Sequence, residues 1–202
     1  MNTVSIQAAP RSIGSKQELK TSRAEGSIPA VIYGHVDPIH ISVSSGREIK
    51  NLIYTQDFKV AEVNLNGEVH KCIVKDIQFH PVSDKILHID FLKLTNGIPV
   101  KVEIPIRFKG ESPGVKLGGK LVQTMRKLKI KTDPENLQDE LLVDISPLGL
   151  GDVLRVKSIE VPENMEVLVG GSIPIANIEI PRALKAAAAA EAKAAAGGKK
   201  KK

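Results

Sequence analysis

Asp76, Gln78 and His80 alternate with Ile77 and Phe79, and a little further on His88 and Asp90 alternate with Leu87, Ile89 and Phe91. At a period of two, both stretches read as β-strands with one apolar and one polar face. Ile73, Ile77 and Phe79 are predicted to point inward from the first, and Leu87, Ile89 and Phe91 from the second. Pro81–Lys85 between them reads as a hairpin loop. The outer face of the pair would then present carboxylate, amide and imidazole groups, which suit base edges and ribose hydroxyls better than a core. Other chemistries fit less well. His88 and Asp90 could form an acid–base pair in a hydrolase, but no nucleophile motif or Gly-rich phosphate loop accompanies them. His80 and His88 are separated by seven residues with Cys72 upstream, whereas zinc sites show ligands paired at short spacing. No metal, cofactor or small-molecule substrate is expected.

Cations could add backbone contacts. Lys16, Lys20 and Arg23 recur at i, i+4 and i+7, one face of a helix, and Arg11 precedes them. Glu18 and Glu25 dilute the patch, so a solvated face competes with a phosphate-contacting one that positions a duplex without reading it. Aromatic residues are scarce: two Tyr, four Phe and no Trp. Modules that grip single strands stack bases on aromatic platforms. Their scarcity here favours helical RNA, whose wide, shallow minor groove shows 2′-hydroxyls and base edges.

The elements that must position these groups follow from local signals. Residues 4–9 alternate as a first strand. Ser15 to Glu18 matches a capping box for a helix over 16–25, and Gly26 sits at its C-terminal end. Residues 30–33 and 39–43 read as strands, and Ser45 to Glu48 as a second capping box before the buried face of Ile49, Leu52 and Ile53. Asn66-Gly67, between 58–65 and 68–79, is a strong hairpin signal. With a strand at 86–92, the first part (1–94) is predicted to be an antiparallel β-barrel with two short helices. Thr95 to Pro99 is the expected boundary. Beyond it, apolar runs at 99–108, 121–131, 141–145, 153–156 and 165–169 predict a second all-β domain over 95–182. Residues 183–202, rich in Ala and Lys, read as a flexible basic tail.

Charge and composition set the class. Residues 1–95 carry 11 Lys+Arg against 10 Asp+Glu, residues 96–181 carry 11 against 12, and 182–202 carry 7 against 1. The net excess therefore lies in the tail, so binding by the folded part must come from local clusters. One such cluster is 112–132, with six basic residues and no acidic one. Lys127, Lys129 and Lys131 there line one strand face, read as an edge strand guarded by lysine or as an auxiliary RNA contact. A hydrophobic content of 42% supports a folded chain, and no apolar run approaches a membrane span. The N-terminus lacks an apolar stretch like a signal peptide's. The single Cys72 fits a reducing compartment; a cytoplasmic location is expected, with no membrane partner.

These motifs, with Ile28-Pro29-Ala30-Val31-Ile32-Tyr33-Gly34 upstream, resemble the family of bacterial large-subunit ribosomal protein twenty-five, whose members bind 5S ribosomal RNA. The second domain makes the chain similar to the long, general-stress (CTC) form, and the resemblance spans residues 1–181. It implies a ribosomal, non-enzymatic protein whose partners are 5S ribosomal RNA and the large subunit. It also implies an RNA interface of basic residues around the first helix (Arg11, Lys16, Lys20, Arg23) with Tyr33, Gln78, His88 and Asp90. The chain departs from the family at Gly14-Ser15-Lys16, one residue longer, and at Ser22, where relatives carry an apolar residue. Lys16 and Lys20 are thus aligned only to about one position, while Gly26 and Pro29 anchor Arg23. A transfer-RNA anticodon-binding module, as in glutaminyl-tRNA synthetase, is the competing reading.

Overall fold

The computed structural model describes residues 2–35, 37–159, 161–162 and 164–182. The predicted tail, 183–202, lies outside the described residues. Six strands close into a barrel in the order β1-β3-β2-β6-β5-β4: β1 (Thr3–Pro10), β2 (Ser27–Tyr33), β3 (Ile39–Ser44), β4 (Val60–Leu65), β5 (Glu68–Phe79) and β6 (Ile86–Lys93). Closure removes free sheet edges. The barrel is not purely antiparallel: β1 pairs with β4, and β2 with β6, in parallel. Alternate side chains fill the interior, with Ile6, Ile28, Ala30, Ile32, Ile41, Val43, Val63, Cys72, Ile89 and Phe91 forming one buried cluster. Each fully buried Ile or Phe stabilises the fold by about 1.5–3 kcal/mol.

Local chemistry explains the connections. Helix α1 (Lys16–Ala24) starts with the predicted capping box: Ser15 Oγ accepts from Glu18 N–H, and Glu18 Oε2 accepts from Ser15 N–H. It stops where Gly26 takes a positive φ of 84°, a conformation glycine adopts without a steric cost. No residue of α1 is buried, so its caps and flanking contacts, rather than a core face, hold it. Helix α2 (Arg47–Ile53) does bury Ile49 and Leu52. Its predicted capping box does not form: Gly46 is the N-cap, with no side-chain cap bond. Asn66 and Gly67 both take positive φ, as a type I′ hairpin turn between β4 and β5 requires.

Two β-bulges overturn part of the predicted facing. The β5–β6 register jumps from Val74↔Phe91 to Asp76↔Asp90, leaving Lys75 as an extra residue. Cys72 and Val74 therefore face the barrel core before the bulge, and Ile77 opposite buried Ile89 after it. Ile73, expected to be buried, is 2% exposed, but it pairs with Leu92 and is buried outside the barrel-interior cluster. The second jump, from Gln78↔His88 to Phe79↔Ile86, leaves Leu87 extra. Ile86, not Leu87, packs on the core. Phe79 is 41% exposed, with its ring centroid 6.3 Å from that of Tyr54.

By contact density the chain divides after Pro105, with Lys129–Glu140 grouped with the first unit. The second β region holds two sheets. One runs β10-β7-β9-β12, formed by β7 (Val100–Lys109), β9 (Lys127–Thr132), β10 (Leu141–Asp144) and β12 (Met165–Val167). The other runs β11-β13-β8, formed by β8 (Lys120–Gln123), β11 (Val153–Arg155) and β13 (Pro174–Glu179). The run predicted over 121–131 is two strands. It breaks where the N–H groups of Thr124 and Met125 both donate to the Ile175 carbonyl. Strand β13, the middle of its sheet, was not among the expected runs. The lysine row is not on an edge, since β9 lies between β7 and β12.

Candidate RNA interface

The parallel pairing of β2 with β6 and the antiparallel pairing of β6 with β5 align one outer face. Gln78 stands directly opposite His88, and Asp76 opposite Asp90. Val31 is the partner of Asp90 on the other side, and Tyr33 that of Leu92. The fold thus brings Tyr33, Gln78, His88 and Asp90 together across three neighbouring strands. The row extends the other way: Val31 pairs with His40, whose carbonyl accepts from Arg11 N–H at 3.0 Å.

Hydrogen bonding separates groups that are engaged from those that are available. His88 Nδ1 lies 2.7 Å from Asp90 Oδ1, with both side chains about one-quarter exposed. In that contact Nδ1 donates to the carboxylate, which leaves Nε2 without a partner among the described residues. Among the described residues, none takes the Tyr33 hydroxyl or the Gln78 amide. Burial pushes the Tyr33 phenol above its ordinary value, and the Asp90 and Asp76 carboxylates raise it further. The hydroxyl therefore remains a donor at neutral pH. Asp76 facing Asp90 is a like-charge pair across the strands.

Arg23 reaches from α1 to donate its Nε–H to the Leu87 carbonyl at 3.1 Å. A bulged residue has no ladder partner, so Leu87 offers this carbonyl and ties the helix end beside His88. Lys16 and Lys20 are exposed on α1 and form no hydrogen bond or ion pair with the described residues. Arg11 is half-buried, with its Nε buried and without a hydrogen-bond partner. His80, predicted on the polar face, is spent on the loop: its Nδ1 accepts from the N–H groups of Val82 and Ser83. Asp76, expected on the polar face, joins the row, and so does His40, which had no distinctive neighbours in the sequence. Its alternation with buried Ile41 and Val43 was the signal for His40. Among the described residues no three His, Cys, Asp or Glu side chains are grouped to hold a metal ion, and no helix is long and apolar enough to cross a membrane.

Residues 6–91 match the Ribosomal L25p family, and residues 99–182 match the C-terminal domain of ribosomal protein TL5. A large ribosomal subunit protein bL25 from Cytophaga hutchinsonii is 39% identical over 192 residues, covering 95% of this chain and 99% of that one. The chain belongs to the bL25 family. Its bL25 relative from Bacteroides thetaiotaomicron is 34% identical over 94% of this chain and 98% of its own length. The one from Porphyromonas gingivalis is 36% identical over 93% and 98%. Both matched segments fall on the β regions described above, and the bL25 segment contains the whole polar row from Arg11 to Asp90. Members of this family are structural proteins of the ribosome, not enzymes. The hydrolase reading of His88 and Asp90 is therefore set aside.

Proposed function

We propose that this chain, a structural component of the large ribosomal subunit, binds 5S ribosomal RNA by laying the outer face of β2, β6 and β5 into the minor groove of a helical region. One observation carries the reading: Gln78 and His88 stand opposite each other with free hydrogen-bonding positions, and further along the same face the Tyr33 hydroxyl, near Asp90 and Asp76, is also unused. Such groups match 2′-hydroxyls and base edges in a shallow groove. Arg23, held beside His88 by its bond to Leu87, supplies a phosphate contact, and Arg11, Lys16 and Lys20 add positive charge nearby. Asp90 acts in part through His88, fixing which ring nitrogen faces the RNA. Residues 1–94 form the RNA-binding domain in this reading, and 95–182 the second domain.

The test is capture of total cellular RNA by the full chain, with washes of rising salt. Retention of 5S RNA after other RNAs have washed off is the expected result. Preferential retention of transfer RNA would replace the proposal with an anticodon-binding role.

A further inference from the structure

The polar row ends at Leu92, and there the surface opens into a cleft of about 290 Å³. Its walls carry Lys75, Lys93, Lys101 and His35 over apolar Leu92 and Ile98, and none of its described lining residues is acidic. All of them fall within the compact unit that runs to Pro105. Lys75 is the bulge residue of β5. Released from the strand ladder, its Nζ donates to the Lys101 carbonyl at 3.1 Å, which fixes the ammonium at the cleft with donors to spare.

The charge along this face is segregated. Arg23 is bound at Leu87, the like-charged Asp76 and Asp90 stand in the middle, and the cleft beyond them is lined by Lys75, Lys101 and Lys93, the last at the end of β6 where it pairs with Cys72. From Leu87 to Lys93 is about 20 Å at roughly 3.3 Å per strand residue. Carboxylates at the centre repel phosphates, and cations at both ends attract them. A groove floor bordered by two backbone strands has that same arrangement.

We propose that this cleft is a second phosphate-binding site, taking the sugar–phosphate backbone of the RNA whose groove the polar row reads. The proposal rests on the RNA-binding reading above. Arg23 would hold one backbone strand and the lysine cleft the other, so that the chain straddles the groove.

The experiment compares the full chain with a Lys75→Gln, Lys93→Gln, Lys101→Gln triple variant and with Lys127→Gln as control. Affinity for 5S RNA is measured across salt concentrations. Each lost phosphate contact lowers the slope of log K against log salt by roughly 0.7–0.9. The triple variant is expected to lose about two units of slope and to bind about tenfold or more weakly near 0.1 M salt, whereas Lys127→Gln leaves both unchanged. A second measurement needs no variant: acetylation of Lys75, Lys93 and Lys101 in the native chain should slow severalfold when RNA is bound, while Lys127 stays as reactive. Normal RNA binding with an unchanged slope and unprotected lysines overturns the cleft and leaves the 5S reading standing. A native chain that binds no RNA removes both.

Discussion

The outer face of β5 and β6 and the outer face of β9 are both rich in ionisable side chains, but they differ in how those groups are spent. On β9, Lys129 Nζ lies 3.4 Å from Glu103 and Lys131 Nζ lies 3.5 Å from Glu166. The lysine row is thus largely neutralised by partners on β7 and β12. On the barrel, two carboxylates face each other, one imidazole is oriented with a free nitrogen, and an amide and a phenol have no partner among the described residues. Charge density alone does not mark a recognition surface. Hydrogen-bonding positions left open to water do, because a ligand can take them without breaking a bond inside the protein.

Alkaline pH should separate the two regions most strongly. The barrel holds the only cysteine, and burial raises the Cys72 thiol to about 12. Between about pH 9 and 12 the unfolded chain releases this proton while the folded chain keeps it. Stability then falls by about 1.4 kcal/mol per pH unit, on the order of 3 kcal/mol by pH 11. Tyr33, also raised, adds loss of the same sign above pH 10. Denaturant unfolding at pH 7.5 and 11 should show this drop, and Cys72→Ala should remove most of it. An undiminished drop in that variant would mean that burial of the thiol is not its source.

Side-chain truncation compares the two faces directly. His88→Ala and Gln78→Ala should each weaken 5S RNA binding by roughly 1–3 kcal/mol while the melting temperature hardly moves. Lys129→Ala and Lys131→Ala should leave affinity nearly unchanged. Equal losses on both faces would erase the contrast. A smaller and less selective effect is expected from Arg23→Ala, which should weaken binding to many RNAs alike and lower the salt slope by about one unit. The lost bond to Leu87 should also cost about 0.5–1.5 kcal/mol of stability. The smallest effect belongs to the neutralised row: a double-mutant cycle on Glu103 and Lys129 should give a coupling below about 1 kcal/mol. A larger coupling would make the β9 row a structural element in its own right.

Features written in contiguous residues were legible before the structure. The Ser15–Glu18 capping box, the Asn66-Gly67 turn and the alternation around Gln78, His88 and Asp90 are all of this kind. What stayed hidden depends on pairing between distant segments. An extra residue in a strand leaves no mark in a sequence read at period two, so the alternation puts Leu87 rather than Ile86 on the core; Phe79 keeps the inward phase of Ile77 but lies at the strand end, where it is exposed. The parallel pairings of β1 with β4 and β2 with β6 are not encoded locally either. Strand β13 went unseen because Pro174 and Asn177 interrupt a short apolar run. His80 fitted the alternation, yet its ring was needed to satisfy loop N–H groups.

The bulge at Lys75 makes β5 unusual in what it can lose. Deleting Lys75 would leave Cys72, Val74 and Ile77 facing inward and Asp76 and Gln78 outward, because the remaining residues alternate without interruption. The deletion would straighten the strand without turning any side chain over. Deleting Val74 instead would draw a lysine toward the barrel interior. Among natural or engineered length variants of this strand, a one-residue shortening should therefore be found at Lys75, and such variants should fold while gripping RNA less firmly.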